Sequence, residues 1–174
     1  SEITLVDGQT TPVLTVNAKL PEISQELKKY NSKNNQFILM ALNEIQESIT
    51  DILKKYGPKR IGVVLGTSTS GIHEGIEAIK KIDKGMLPDD FNYAIQEIGS
   101  PSLFVKDYLN LDTIAYTIST ACSSGARAFI EGKQLIENDI CDAVIVGGSD
   151  CLNQLTLNGF HSLEAISTNR TDPF

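Results

Sequence analysis

The sequence has little of what a metal protein or a nucleic-acid protein needs. It holds two histidines, His73 and His161, and three cysteines, Cys122, Cys141 and Cys151, with no C-x-x-C pair. A structural zinc site is therefore not expected. Basic residues are outnumbered, giving a formal net charge of −7, which argues against a nucleic-acid groove lined with Lys and Arg. The local pairs Lys28-Lys29, Lys54-Lys55 and Lys80-Lys81 fall on expected helices and read as solvated faces. No apolar run is long enough to cross a bilayer, so no membrane is expected. The opening "SEITLVDGQT" lacks a positive flank and an apolar stretch of the secretory kind. An odd cysteine count without such a signal speaks against a disulfide framework, and the cytoplasm is the expected compartment.

What is present suits an ordinary globular domain over residues 1–174, with 41% hydrophobic and 21% charged residues. Residues 1–20 read as short extended pieces, with "TPVLTV" β-rich and Pro12 at an edge or entry position. "NNQFILMALNEIQESITDILKKYGPK" repeats Ile38, Leu42, Ile45, Ile49, Ile52 and Tyr56 at helical spacing and predicts one helix closed by Gly57-Pro58. "RIGVVLG" is a short apolar run ending in glycine, as in a strand covered on both faces. A helix follows through Ile72, Ile76, Ile79 and Ile82. Two shorter ones are expected in "DDFNYAIQEIG" and "SPSLFVKDYLNL", the second capped by Ser100 with Pro101 in its first turn. "TIAYTIST" and "DAVIVGG" read as strands, "SSGARAFIEGKQLIEN" as a helix between them, and "GFHSLEAIST" as a last helix or turn. Strands alternating with helices predict an α/β layered, largely parallel sheet.

Two stretches invite chemistry. "GTSTSG", Gly66 to Gly71, has the outline of a phosphate-binding loop, but Ile72 and His73 stand where Lys and Ser/Thr are required. A tight turn or a small-residue loop lining a pocket remains. Cys122 lies in "TACSSG", delivered by a strand and followed at once by a helix. A helix N-terminus carries about half a positive charge and several free N–H groups, which favour a thiolate and can hold a developing oxyanion. Spacing alone leaves Cys122 as either a reactive nucleophile or a small buried residue. Cys141 and Cys151 read as buried structural thiols, and both histidines as surface or satisfied helical residues.

"YTISTACSSGARAFIEGKQLIENDICDAVIVGGSD" resembles the active-site segment of the β-ketoacyl-acyl-carrier-protein synthases, the condensing enzymes of fatty-acid and polyketide synthesis. "RIGVVLGTSTSG" is similar to that family's strand and loop, and "GFHSLEAIST" to its G-F-x-x-L-x-A-L-S segment. The resemblance implies a thiolase-like fold of two related halves, each with a layered mixed sheet and helices on both faces. Carried over by position, Cys122 is the nucleophile that accepts an acyl chain, and its backbone N–H is one oxyanion donor. Thr69, Ser70 and Phe160 match positions lining the acyl pocket, and residues 113–120 match a strand that pairs across a homodimer. The implied partner is an acyl carrier protein bearing acyl and malonyl thioesters, and no cofactor or metal is implied. Family members are more than twice this length and place their catalytic histidines in the second half, where neither His73 nor His161 matches. The chain is therefore expected to be the N-terminal half of such a synthase and not to condense by itself. The readings that compete are a non-catalytic scaffold or dimerisation partner of this fold, and a thiolase or initiating synthase using coenzyme A thioesters. A redox cysteine would want a resolving partner, which neither Cys141 nor Cys151 supplies by spacing.

Overall fold

The apolar run Ile61–Leu65 becomes the middle strand of a parallel sheet, and most of the molecule is arranged around it. The structure is a computed structural model that describes residues 1–83, 85–89 and 91–171. In chain order the elements are β1 (Glu2–Thr4), β2 (Thr10–Pro12), α1 (Lys33–Glu44), α2 (Gln46–Tyr56), β3 (Ile61–Gly66), α3 (Ile72–Lys80), α4 (Ser100–Tyr108), β4 (Ala115–Ile118), α5 (Ser124–Glu137), β5 (Ala143–Gly148) and α6 (Gln154–Ser162). They form two compact units. Ser1–Lys19 with Leu152–Phe174 makes one, built on the antiparallel β1–β2 pair and α6. Leu20–Cys151 makes the other and holds the three-stranded sheet in the order β4-β3-β5.

Both neighbours run parallel to β3, with Val63 beside Ala115 and Ile145. The alternation of side chains assigns a different helix layer to each face. Ile61, Val63 and Leu65 point to the face covered by α1, α2 and α4, where Ile38, Leu39, Leu42, Ile49, Phe104 and Val105 complete a cluster. Val64 points to the other face, onto Ala128 and Leu135 of α5 and onto Cys141. Each fully buried aliphatic side chain of this kind contributes roughly 1.5–3 kcal/mol. The approach of α5 is close because the contacts are small: a Cβ at Gly132 would lie 2.5 Å from Val146 Cγ1. This is the α/β arrangement, with helices on both faces, that the strand–helix alternation predicts.

Several boundaries differ from the sequence reading. The single helix expected after residue 34 is two. At Ile45 (φ −112°, ψ 19°) the N–H bonds back to Leu42 and Asn43 carbonyls, tightening the last turn of α1. The slip in phase turns Ile45 to solvent and brings Ile49, Ile52, Leu53 and Tyr56 onto the core. Gly57, at φ 75°, then ends α2.

The helix expected in "DDFNYAIQEIG" is only a 3-10 turn, Tyr93–Ile95, and Asp90 lies outside the described residues. Its backbone is engaged elsewhere, since the Ser70 hydroxyl donates to the Glu97 carbonyl at 2.8 Å. Ser100 is not the cap of α4: Gly99 holds that position, and Ser100 Oγ accepts from Asn35 Nδ2 at 3.2 Å. In α3 the apolar stripe is not the buried one. Ile79 is 62% exposed, while Gly75 and Ala78 face inward. Of "TPVLTV" only Thr11 and Pro12 are strand, as the end of β2, and the expected strand at residues 113–120 is confined to Ala115–Ile118. The last helix starts at Gln154, capped by Asn153 Oδ1, which accepts from the Thr156 N–H at 2.8 Å.

Candidate active site at the carboxyl ends of the parallel strands

All three parallel strands finish at one end of the sheet, and their loops are tied together there. The Thr67 N–H donates to the Ile118 carbonyl at 3.1 Å, and the Ser149 N–H to the Gly66 carbonyl at 3.1 Å. Gly66 permits this convergence: a Cβ there would lie 2.6 Å from the Ser124 carbonyl carbon and 2.7 Å from the Gly125 nitrogen. The first turn of α5 therefore rests directly on the end of β3. In open parallel sheets this is where ligands bind, in the crevice outside the carboxyl ends of the strands.

Cys122 sits in the short turn that leads into α5. β4 ends at Ile118, a 3-10 turn spans Ala121–Ser123, and α5 begins at Ser124. Ala121 adopts φ 51°, the left-handed region that a non-glycine residue seldom occupies. Hydroxyls hold the bend. The Ser124 hydroxyl accepts from the Thr120 N–H at 2.9 Å and donates to the Ala121 carbonyl at 2.7 Å. The Ser123 hydroxyl donates to the Thr120 carbonyl at 2.8 Å. Strain concentrated beside a residue at a strand-to-helix turn is a feature of functional sites. The Cys122 residue is exposed, whereas Cys141 and Cys151 are buried. Burial pushes the Cys151 thiol up to about 11. Of the three cysteines only Cys122 is exposed, so it is not the small buried residue that spacing also allowed.

The "GTSTSG" loop is organised by a residue that spacing did not flag. Asp150, two residues past β5, takes four hydrogen bonds on one carboxylate oxygen. The donors are the Thr67 hydroxyl at 2.8 Å, the Ser68 N–H at 2.8 Å, the Thr69 N–H at 2.9 Å and the Thr69 hydroxyl at 2.7 Å. The loop's own N–H groups thus already carry an anion, a protein carboxylate, and the phosphate-binding outline is accounted for. Thr69 is half-buried beside Asp150. Ser70, at φ 44°, is buried, with its N–H bonded to the Thr67 hydroxyl at 3.0 Å. The fourth expected site residue, Phe160, belongs to the other unit, where it stands half-exposed on α6. His161 is in that unit too, 2.7 Å from Asp7, whose carboxyl is held below its ordinary range chiefly by that hydrogen bond. His73 lies on α3, half-buried. Among the described residues no group of three or more His, Cys, Asp and Glu is placed to hold a metal ion, and no helix is long and apolar enough to cross a membrane.

A family model described as "Beta-ketoacyl synthase, N-terminal domain" matches residues 15–174. The chain belongs to the β-ketoacyl synthase family. The chloroplastic 3-oxoacyl-[acyl-carrier-protein] synthase II of Arabidopsis thaliana is 25% identical to it over 155 residues, which cover 83% of this chain and 28% of that protein. A chain from the solved complex of a ketosynthase with its chain length factor, from Xenorhabdus doucetiae, superposes on all of it with a TM-score of 0.90 and 40% identity, and 45% of that chain is covered. A type II polyketide ketosynthase assembly with its acyl-carrier protein shares the fold, with a TM-score of 0.68 and 22% identity over 82% of this chain and 37% of that one. The thiolase-like ketosynthase fold expected from the "TACSSG" resemblance is thus the fold of this chain. The match spans little more than a quarter of the plant relative's length.

Proposed function

We propose that Cys122 is the acyl-accepting nucleophile of a condensing enzyme of which this chain is the N-terminal part. The exposed thiol on the left-handed bend at the start of α5 carries the reading. The Cys122 sulfur, as thiolate, attacks the carbonyl of an acyl thioester. A C–S bond forms, and the negative charge moves to the carbonyl oxygen, where the Cys122 N–H at the helix start stabilises it. The oxyanion collapses, the carrier's thiolate leaves and takes up a proton, and the chain stays on Cys122 as a thioester. In the whole enzyme, a malonyl thioester then loses carbon dioxide, and its carbanion attacks the Cys122 thioester and releases the cysteine. The histidines that assist that second half-reaction belong to the remainder of the enzyme, so this chain does not condense by itself and at most accepts an acyl group slowly on Cys122.

The donor is an acyl carrier protein, in fatty-acid or polyketide synthesis, in the cytoplasm. Thr69, Ser70 and Phe160 are carried over as acyl-pocket positions of the whole enzyme. Two copies pair through residues 113–120, a reading supported by the position of β4 at the edge of its sheet.

Incubation with a hexanoyl carrier-protein thioester, followed by intact mass and peptide mapping, tests the proposal. The expected result is one hexanoyl adduct on Cys122, formed faster from the carrier thioester than from hexanoyl coenzyme A. Absence of any adduct, with Cys122 still open to iodoacetamide, would overturn the acyl-acceptor role in favour of a scaffold. Preference for coenzyme A would move the chain to the initiating or thiolase type.

A further inference from the structure

We infer that Ser124 is a positioning residue for Cys122, holding Ala121 in the left-handed conformation that presents the thiol. The inference rests on the acyl-acceptor reading and deepens it.

Alanine does not choose φ 51° unaided, because its Cβ crowds the following carbonyl oxygen there. Something must hold the bend, and one side chain touches both sides of it. The Ser124 hydroxyl accepts from the N–H before Ala121, that of Thr120, and donates to the carbonyl of Ala121 itself. The Ser124 backbone N–H closes on the same Ala121 carbonyl. Ser124 is 4% exposed, so water does not readily replace its hydroxyl. Ser123 also bonds back to Thr120, through the carbonyl at 2.8 Å and the hydroxyl at 3.0 Å, but it is exposed and water can take over its bonds. The two serines of "TACSSG" therefore do different work. Ser124 is also the residue whose backbone Gly66 admits to close contact, so its hydroxyl is fixed to the sheet as well as to the bend.

The test compares acyl loading of wild type, Ser124→Ala, Ser124→Thr, Ser123→Ala and the double variant Ala121→Gly with Ser124→Ala. Hexanoyl-pantetheine is the donor and intact mass the readout. Shielding of Cys141 and Cys151 from iodoacetamide reports folding. Misplacement of a reacting atom by about 1 Å costs on the order of a hundredfold, so Ser124→Ala should lower the maximal loading rate by roughly tenfold or more with half-saturation within about twofold. Threonine keeps the hydroxyl, and glycine at 121 takes the left-handed region without Cβ strain, so Ser124→Thr and the double variant should return to within about threefold of wild type. Ser123→Ala should fall less than Ser124→Ala. A wild-type rate in Ser124→Ala, or equal losses in the alanine and threonine variants, would overturn the inference.

If Ser124→Ala does not fold, the threonine and double variants decide it: near-wild-type loading upholds the role and a tenfold loss removes it. If wild type takes no acyl group, the acyl-acceptor reading has failed, and the iodoacetamide rate at Cys122 decides the positioning role alone. Slowing in Ser124→Ala with recovery in the double variant upholds it, and unchanged rates remove it.

Discussion

At the amino end of β3, Arg60 reaches across to its neighbours with charge; at the carboxyl end, the loops are held by hydroxyls, backbone groups and one carboxylate. The Arg60 guanidinium bonds Asp142 at 2.7 Å and Asp139 at 2.7 Å and also caps the Asp139 and Ile140 carbonyls beyond the C-terminus of α5. That end has a left-handed residue of its own, Asp139 at φ 57°, but its one cysteine, Cys141, is buried. At the other end stand a left-handed alanine, a left-handed serine, an exposed thiol and four donors on one carboxylate oxygen. The same α5 joins the two ends. One end anchors the helix, and the other uses it to aim Cys122. Changes at the carboxyl end should therefore alter chemistry more than stability, and changes at the amino end the reverse.

The largest expected effect lies on Cys122. Cys122→Ala should abolish hexanoyl loading while leaving unfolding free energy within about 0.5 kcal/mol, as for an exposed side chain away from packing. Native alkylation should drop from one adduct to none, with Cys141 and Cys151 still shielded. A large loss of stability would show that the thiol belongs to the packing and would break the division between the two ends.

Gly66→Ala should harm both properties at once, because its Cβ would meet the backbone of Ser124 and Gly125 rather than a flexible side chain. Overpacking of this kind costs about 1–3 kcal/mol, and α5 can relieve it only by moving away from β3 and carrying Cys122 with it. Urea midpoints and loading rates should fall together. A stable variant with undiminished loading would mean that the close contact does not set the position of the helix.

Asp150→Ala comes next. It leaves two N–H groups and two hydroxyls of the Thr67–Thr69 loop without their acceptor, a loss of about 1.5–3 kcal/mol for hydrogen bonds to a charged group, reduced where solvent can enter. Loading by the acyl thioester should weaken through half-saturation, while iodoacetamide should find Cys122 at close to the wild-type rate. If alkylation slows as much as acyl loading does, Asp150 supports the Cys122 turn rather than the loop alone.

The legible parts of this molecule were those written in neighbouring residues. Apolar runs bounded by glycine gave β3 and β5, and small residues after a β-rich run marked the turn at Cys122. Asp150 was not legible because its partners lie more than 80 positions earlier, and an Asp after two glycines has no local signature. Nor was the φ of Ala121, since alanine carries no preference for that region and the bond that holds it comes from a serine equally at home as a simple helix start. The break at Ile45 was hidden because the apolar spacing runs on across it. The stripe of α3 misled for a related reason: periodicity marks an apolar face without saying whether this unit covers it.

The smallest effect on chemistry should come from Arg60→Ala, and its signature is in pH. Hydrogen bonding to Arg60 holds the Asp142 carboxyl below its ordinary value of 3.8. An aspartate with a depressed folded value stabilises the fold above the unfolded value, and that contribution disappears as pH falls through the folded one. Wild type should therefore exceed Arg60→Ala in thermal midpoint at pH 6 to 7 by a few degrees, on the order expected for a bidentate pair open to solvent. The gap should narrow as pH drops below the ordinary aspartate range and should shrink in about 1 M salt, where screening acts over roughly 3 Å. Hexanoyl loading of Cys122 should stay within about twofold across the pair, since α5 remains seated on β3 through Gly66. A tenfold loss of loading in Arg60→Ala would show that the anchor at one end of α5 also sets the aim at the other.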